Sequence, residues 1–257
     1  MLSTERFQNR VDDYVRYRPS YPAEMMTKII EHCGIDPSSV IADIGSGTGL
    51  LARLFLDFGC TVFGVEPNAG MRAAAEDLLA SFPRFQSVHG TAEATNLAPH
   101  SCDAVTCGQS FHWFDAARSR EEFVRILKPS GWVVLVWNER QKGSTPFLAG
   151  YERLLRQHSP EYQEIEASRG DSAVFDRFFG ANRWSAFTFV YSQRFDFEGA
   201  LGRLRSSSYS PLPGTAEYVA MEQNLRNLVA ETAINGDVTF LYDTRVYIGR
   251  LSAPSKT

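Results

Sequence analysis

Short apolar runs and helix-spaced apolar positions alternate along the first half of the chain, the pattern of strands and helices taking turns in a parallel sheet. Runs at residues 40–44, 61–65, 85–89, 102–107 and 132–137 predict five strands. Helices are predicted at 22–33, opened by a proline and followed by Gly34, and at 50–58, where Leu50, Leu51, Leu54, Phe55 and Phe58 share a face until Gly59. Two more are expected at about 69–81 and 116–127. The run 132–137 is apolar at every position, which suits a strand buried on both faces.

From about residue 139 the pattern changes. Phe147, Tyr151, Leu154 and Leu155, then Val174, Phe175, Phe178 and Phe179, keep helical spacing with no parallel strand between them. This stretch reads as a helical cap inserted before the last strands. Two alternating runs, from Phe187 to Phe197 and from Val238 to Ile248, close the pattern, with a second cap helix at about 216–234 between them.

The first predicted strand runs into Asp43-Ile44-Gly45-Ser46-Gly47-Thr48-Gly49, a glycine turn that opens a helix. Such a turn lets a ligand approach where a Cβ would collide. A dinucleotide fingerprint has the spacing Gly-x-Gly-x-x-Gly/Ala. Here the third glycine comes one residue early and Leu50 fills the fingerprint position, which argues against a pyrophosphate. Glu66 closes the second strand about twenty residues after the loop, where an acid accepts the hydroxyls of a ribose. It fits either kind of nucleoside cofactor. No Gly-Lys-Ser/Thr follows the glycines, so a Walker phosphate loop is excluded.

Four ordered features now combine: the glycine loop, Val65-Glu66-Pro67, Gly90-Thr91-Ala92-Glu93, and Leu127-Lys128-Pro129-Ser130-Gly131 before an apolar strand. With them, residues 10–140 resemble a class I S-adenosylmethionine-dependent methyltransferase of the small-molecule type, the group of the ubiquinone-biosynthesis and trans-aconitate methyltransferases. The resemblance implies an α/β fold: a Rossmann-like, doubly wound seven-stranded sheet, mostly parallel with an antiparallel last strand, plus the helical cap. The expected division is a cofactor-binding core with an N-terminal lid segment (1–138), the cap insertion (139–185), and the terminal strands with the second cap helix (186–257).

The same resemblance implies roles. Gly45, Gly47 and Gly49 would pass close to the methionine and ribose portions of S-adenosylmethionine, with Ser46 and Thr48 adding donors. Asp43 would contact the methionine ammonium, or else only cap the loop. Glu66, beside Pro67, would take the ribose hydroxyls. Met71 would lie on the adenine face or pack in the core, and Ala92 and Glu93 would read the adenine edge. Gln109 and Ser110 would line the methionine end. His112 stands between aromatic residues just beyond, either as a general base of near-neutral pKa or as a packed histidine. Tyr14, Tyr17, Arg18 and Tyr21 could close over the acceptor, with Tyr209 as a further wall, and Trp113 would shape the cofactor or acceptor pocket or pack in the core. A buried arginine there would favour a carboxylate.

Composition narrows the partners. A net charge of −4 and the absence of any basic block disfavour nucleic acid and acidic membrane as partners. No apolar run approaches a membrane span, and Cys33, Cys60, Cys102 and Cys107 form no Cys-x-x-Cys pair, so neither a metal site nor a disulfide framework is expected. The expected protein is cytoplasmic, with a small-molecule acceptor, and nothing in the sequence specifies an oligomer. Two rival readings remain at this stage: a non-catalytic S-adenosylmethionine-binding regulator and a nicotinamide-dependent oxidoreductase.

Overall fold

The computed structural model describes residues 11–162 and 172–251, so residues 1–10 of the expected lid segment and 163–171 of the expected cap lie outside it. One seven-stranded sheet has the order β3-β2-β1-β4-β5-β7-β6. Its strands are β1 Val40–Ile44, β2 Thr61–Val65, β3 Phe85–Val88, β4 Cys102–Gly108, β5 Leu127–Arg140, β6 Trp184–Phe195 and β7 Val238–Gly249. β1 to β5 pair in parallel, while β7 runs antiparallel to both β5 and β6. This is the Rossmann-like, mostly parallel sheet that the hydrophobic pattern and the resemblance led us to expect. The chain leaves β1 towards β2 on one side and returns to β4 on the other, so a crevice opens above their carboxyl ends, where open α/β sheets bind ligands.

Helices α1 Val11–Tyr17 and α2 Ala23–Cys33 precede the sheet, and α3 Leu50–Phe58, α4 Ala69–Leu78 and α5 Ala116–Ile126 connect its parallel strands. Side chains alternate across β1, and the core divides accordingly. Ile41 joins Met25, Ile29, Leu51 and Phe55 on the face covered by α2 and α3. Ala42 and Ile44 join Val105, Phe123 and Leu135 on the other face. Each such fully buried aliphatic or aromatic side chain contributes about 1.5–3 kcal/mol. β5 is longer than the run at 132–137 because Cys102 pairs with Leu127 before the register shifts and Ala104 meets Trp132. Lys128 is drawn to Asp103, with both carboxylate oxygens 2.8 Å from Nζ.

The region expected to form one cap divides between two places. Helix α6 Pro146–His158 packs with α8 Phe197–Arg205 and α9 Ala216–Thr232 around a third core that includes Tyr151, Leu204, Leu225 and Phe240. Helix α7 Ser172–Phe179 instead lays Phe175, Phe178 and Phe179 on the sheet, against Phe123 and Trp137. The reason is the aromatic density of α7, which matches an apolar sheet face rather than a half-solvated cap.

Candidate active site

The glycine loop leaves β1 at its carboxyl end, where the N–H groups of Gly45 and Ser46 donate to the Val65 carbonyl of β2 (2.8 and 3.2 Å). Gly45 has φ +65°, and a Cβ there would lie 2.6 Å from Ser110 Cβ. That close approach lets Ser110 Oγ donate to the Ile44 carbonyl (2.8 Å), tying the loop to the end of β4. Gly47, at φ +55°, faces open space, so the backbone itself is presented to a ligand.

Glu66 is buried beneath this loop with its two oxygens divided. Oε2 accepts the Gly47 N–H (3.0 Å) and Oε1 accepts the Asn68 N–H (2.9 Å). Each oxygen keeps lone-pair capacity for one more donor. Burial raises the Glu66 pKa, against the pull of those two N–H groups. Asn68 in turn caps α4, its Oδ1 accepting the Met71 N–H at 3.0 Å. Glu66, Pro67, Met71, Trp113 and Phe114 thereby wall one open cavity of about 630 Å³, polar at the loop and apolar opposite.

Asp43 lies deeper, 1% exposed. Its Oδ1 accepts the Thr106 hydroxyl (2.9 Å), while Oδ2 and the neighbouring Thr48 Oγ1 are buried with no hydrogen-bond partner among the described residues. Burial lifts the Asp43 carboxyl to about 7, opposed by hydrogen bonds from Thr106 and Ala52 and reinforced by Glu66. A buried acceptor left unsatisfied costs free energy that an incoming donor or cation would recover.

A second cavity of about 800 Å³, mouth included, adjoins the first. Tyr14, Gly45, Gly108 and Gln109 border both. Gln109 holds the junction in a left-handed conformation (φ +60°), a departure that concentrates at functional sites in non-glycine residues. Beyond it stand Arg18, Tyr21, Arg140, Tyr162, Arg203 and Tyr209. The strap from α1 to α2 closes this side: Arg18 Nη2 donates to the Ser206 carbonyl (2.8 Å), and Asn138 Nδ2 donates to the Ser20 carbonyl (2.9 Å).

The structure thus gathers Asp43, Gly45, Ser46, Gly47, Thr48, Glu66, Pro67, Met71, Gln109 and Ser110 around the paired cavities, with Tyr14, Arg18, Tyr21, Trp113 and Tyr209. Gly49 lies just behind, at the start of α3. His112, Tyr17, Ala92 and Glu93 are placed elsewhere. His112 stands on the turn Phe111–Trp113, its ring 4.7 Å from that of Trp113, and lines neither cavity. Trp113, expected at either pocket, lines the cavity of Glu66 and Met71. Tyr17 packs edge-on against Phe195 and over Gly202. Ala92 is buried in the core, and the Glu93 carboxylate accepts the Asp115 N–H (2.9 Å), so neither reaches a cavity wall.

Sequence reasoning missed Asn138, Arg140, Tyr162 and Arg203. One signal was available for Arg203: it occupies the buried face of α8, among Ala200, Leu201 and Leu204. An arginine in that position needs a reason.

Residues 42–135 match the methyltransferase domain family. The core of this chain is similar to methyltransferase domains. The chain is 29% identical over 189 residues to an uncharacterised methyltransferase-like protein of Schizosaccharomyces pombe, covering 73% of this chain and 72% of that one. It is 36% identical over 138 residues to an uncharacterised methyltransferase of Mycobacterium bovis, a match that spans about half of each, 53% in both cases. Among solved structures, it is similar in fold to phosphoethanolamine N-methyltransferase 2 of Haemonchus contortus, which was determined with phosphomonomethylethanolamine and S-adenosylhomocysteine. That likeness has a TM-score of 0.56 at 15% identity and covers 96% of this chain and 58% of the other.

The contact of Tyr17 with Gly202 supports a prediction about the strap. A Cβ at Gly202 would collide with the Tyr17 ring. Gly202→Ala should therefore displace α1 while leaving the sheet intact, at a cost of about 1–3 kcal/mol for overpacking. Limited proteolysis should show cleavage within residues 11–22 rising at least severalfold. Unchanged cleavage would mean that the strap is not held there.

Proposed function

We propose that this chain transfers the methyl group of S-adenosylmethionine directly to a small organic acceptor. The observation that carries the reading is the division of two carboxylates around the glycine loop. Glu66 keeps acceptor capacity at the height of the loop, and Asp43 keeps an unpartnered Oδ2 deeper in. S-adenosylmethionine matches both, with a ribose diol for Glu66 and an ammonium for Asp43, and it would supply an electrophilic methyl on a sulfonium. Met71 and the exposed Trp113 ring offer apolar surface for an adenine. A dinucleotide fits poorly, because Leu50 fills the fingerprint position at the loop a pyrophosphate would approach.

The second cavity supports the same reading. Gly108 and Gln109 border both cavities, so an acceptor in one can meet a cofactor in the other beside that backbone. Holding two reactants in line is worth about 7–11 kcal/mol in favourable cases. Tyr21, whose hydroxyl lies against Gly108, and Tyr14 shield that junction from water. A cytoplasmic setting without nucleic-acid or membrane partners belongs to this proposal, and four free cysteines suit a reducing compartment. Among the described residues no helix is long and apolar enough to cross a membrane.

Calorimetric titration tests the cofactor. S-adenosylmethionine and S-adenosylhomocysteine should bind one to one and NADH should not; tight NADH binding without methyl-donor binding would overturn the proposal. Incubation with radiolabelled methyl donor and metabolite extract should yield labelled small molecules. Persistent absence of label would favour a non-catalytic binding protein.

A further inference from the structure

Three arginines face the second cavity, which Asp43 also lines, and two of them form no ion pair with a carboxylate among the described residues. Arg140 is paired with Glu152 at 2.7 Å. Arg18 donates to the Ser206 carbonyl and lies over the Tyr14 ring (4.9 Å to its centroid), and Arg203 donates to Tyr242 Oη (3.1 Å) and Ser207 Oγ (3.1 Å). Arg203 is 6% exposed, and Arg18 Nε is buried with no hydrogen-bond partner among the described residues. The two cations sense each other: burial, and then the Arg203 charge, hold the Arg18 pKa below its ordinary value. Burial pushes the Tyr209 phenol up, yet Arg203, Arg18 and Arg140 outweigh it and leave its pKa lowered. Unbalanced buried charge of one sign is costly until an opposite charge joins it.

The two arginines also stand on different parts of the fold. Arg203 is fixed on α8, whereas Arg18 belongs to the strap that follows α1. That strap carries Tyr14, which borders the cofactor cavity as well. Its other fastenings to α8 are the Asp13–Arg205 ion pair (3.1 Å) and the packing of Tyr17 over Gly202.

We propose that the acceptor is a small organic anion whose carboxylate bridges Arg18 and Arg203, and that its arrival ties the strap down over the bound cofactor. The inference rests on the methyltransferase reading above, which makes this cavity the acceptor's. Planar guanidinium groups suit a carboxylate, with two parallel donors each. Without the anion, the repulsion between Arg18 and Arg203 loosens the strap and lets the cofactor enter; with it, the same residues select the acceptor and close the roof. The cofactor therefore binds first and the acceptor second.

The test uses the full chain loaded with S-adenosylhomocysteine and follows its dissociation by stopped flow. Linear dicarboxylates from malonate to adipate serve as probes, beside their uncharged diamides and inorganic phosphate. At least one dicarboxylate should slow dissociation tenfold or more, its diamide should not, and Arg18→Gln should abolish the effect. The comparison of acid with diamide on the wild-type protein stands even if the variant misfolds. Equal effects of acid and diamide, no effect of any acid, or an acid effect that survives in folded Arg18→Gln would each overturn the proposal. Phosphate matching the best dicarboxylate would overturn the carboxylate assignment. Failure of S-adenosylhomocysteine to bind at all would instead overturn the underlying methyltransferase reading, a distinguishable result.

Discussion

Glu66→Gln is expected to weaken S-adenosylhomocysteine binding by at least a hundredfold while leaving the protein folded. The carboxylate accepts one backbone N–H on each oxygen, from Gly47 and from Asn68, so an amide cannot be turned to satisfy both. Whichever way it sits, its NH2 group faces an N–H, and the loop or the start of α4 must shift. The proposed ribose contacts suffer together with this support. Hydrogen bonds to a charged group are worth about 1.5–3 kcal/mol each, and two of them amount to two or more orders of magnitude in affinity. Stability should change little, because burial already disfavours the Glu66 charge. Calorimetry and thermal unfolding on the same sample decide the matter. Affinity within threefold of wild type would remove Glu66 from the cofactor site.

Such a prediction could be framed from the sequence because the cofactor half of the site is local. A strand, a glycine turn and an acid at the next strand end all belong to one βαβ unit, so period and spacing report them. The other half is assembled from distant segments. Arg140 ends β5, Tyr162 follows α6, and Arg203 lies on α8, each in or beside an element whose pattern signals only strand or helix. Tertiary packing of the cap over the sheet brings them to Arg18, and no local period encodes that. His112 shows the converse. It read as a candidate base because it follows β4, yet Phe111 turns into the core against Phe178 (4.7 Å between ring centroids), which fixes the short helical turn and carries His112 off the cavity walls. Glu93 was similarly legible as an acid in the right segment, but the orphan N–H at Asp115 claims its carboxylate.

The second large effect concerns Asp43 and pH. Its carboxyl, lifted to about 7 from an ordinary value of 3.8, is held neutral by the cofactor-free fold over a range in which the unfolded chain ionises. Stability from that preference is therefore fully present below pH 4 and is lost as pH rises through 7. Asp43→Asn should abolish the loss, so the cofactor-free variant should be more stable than wild type at pH 8, by an amount on the order of a few kcal/mol. Cofactor binding should run the opposite way. An ammonium beside Oδ2 favours the ionised carboxyl, so wild-type affinity for S-adenosylmethionine should fall as pH drops below 7, by up to roughly tenfold per unit. Binding at pH 7 should release about half a proton, measurable by titration in two buffers of different ionisation enthalpy. In Asp43→Asn the affinity should be roughly ten- to a hundredfold lower at pH 8 and flat with pH, since the lost contact is one charge-assisted hydrogen bond. A variant that binds S-adenosylmethionine with the wild-type pH slope would show that Asp43 only braces the loop, and the unpartnered Oδ2 would then need another ligand to explain it.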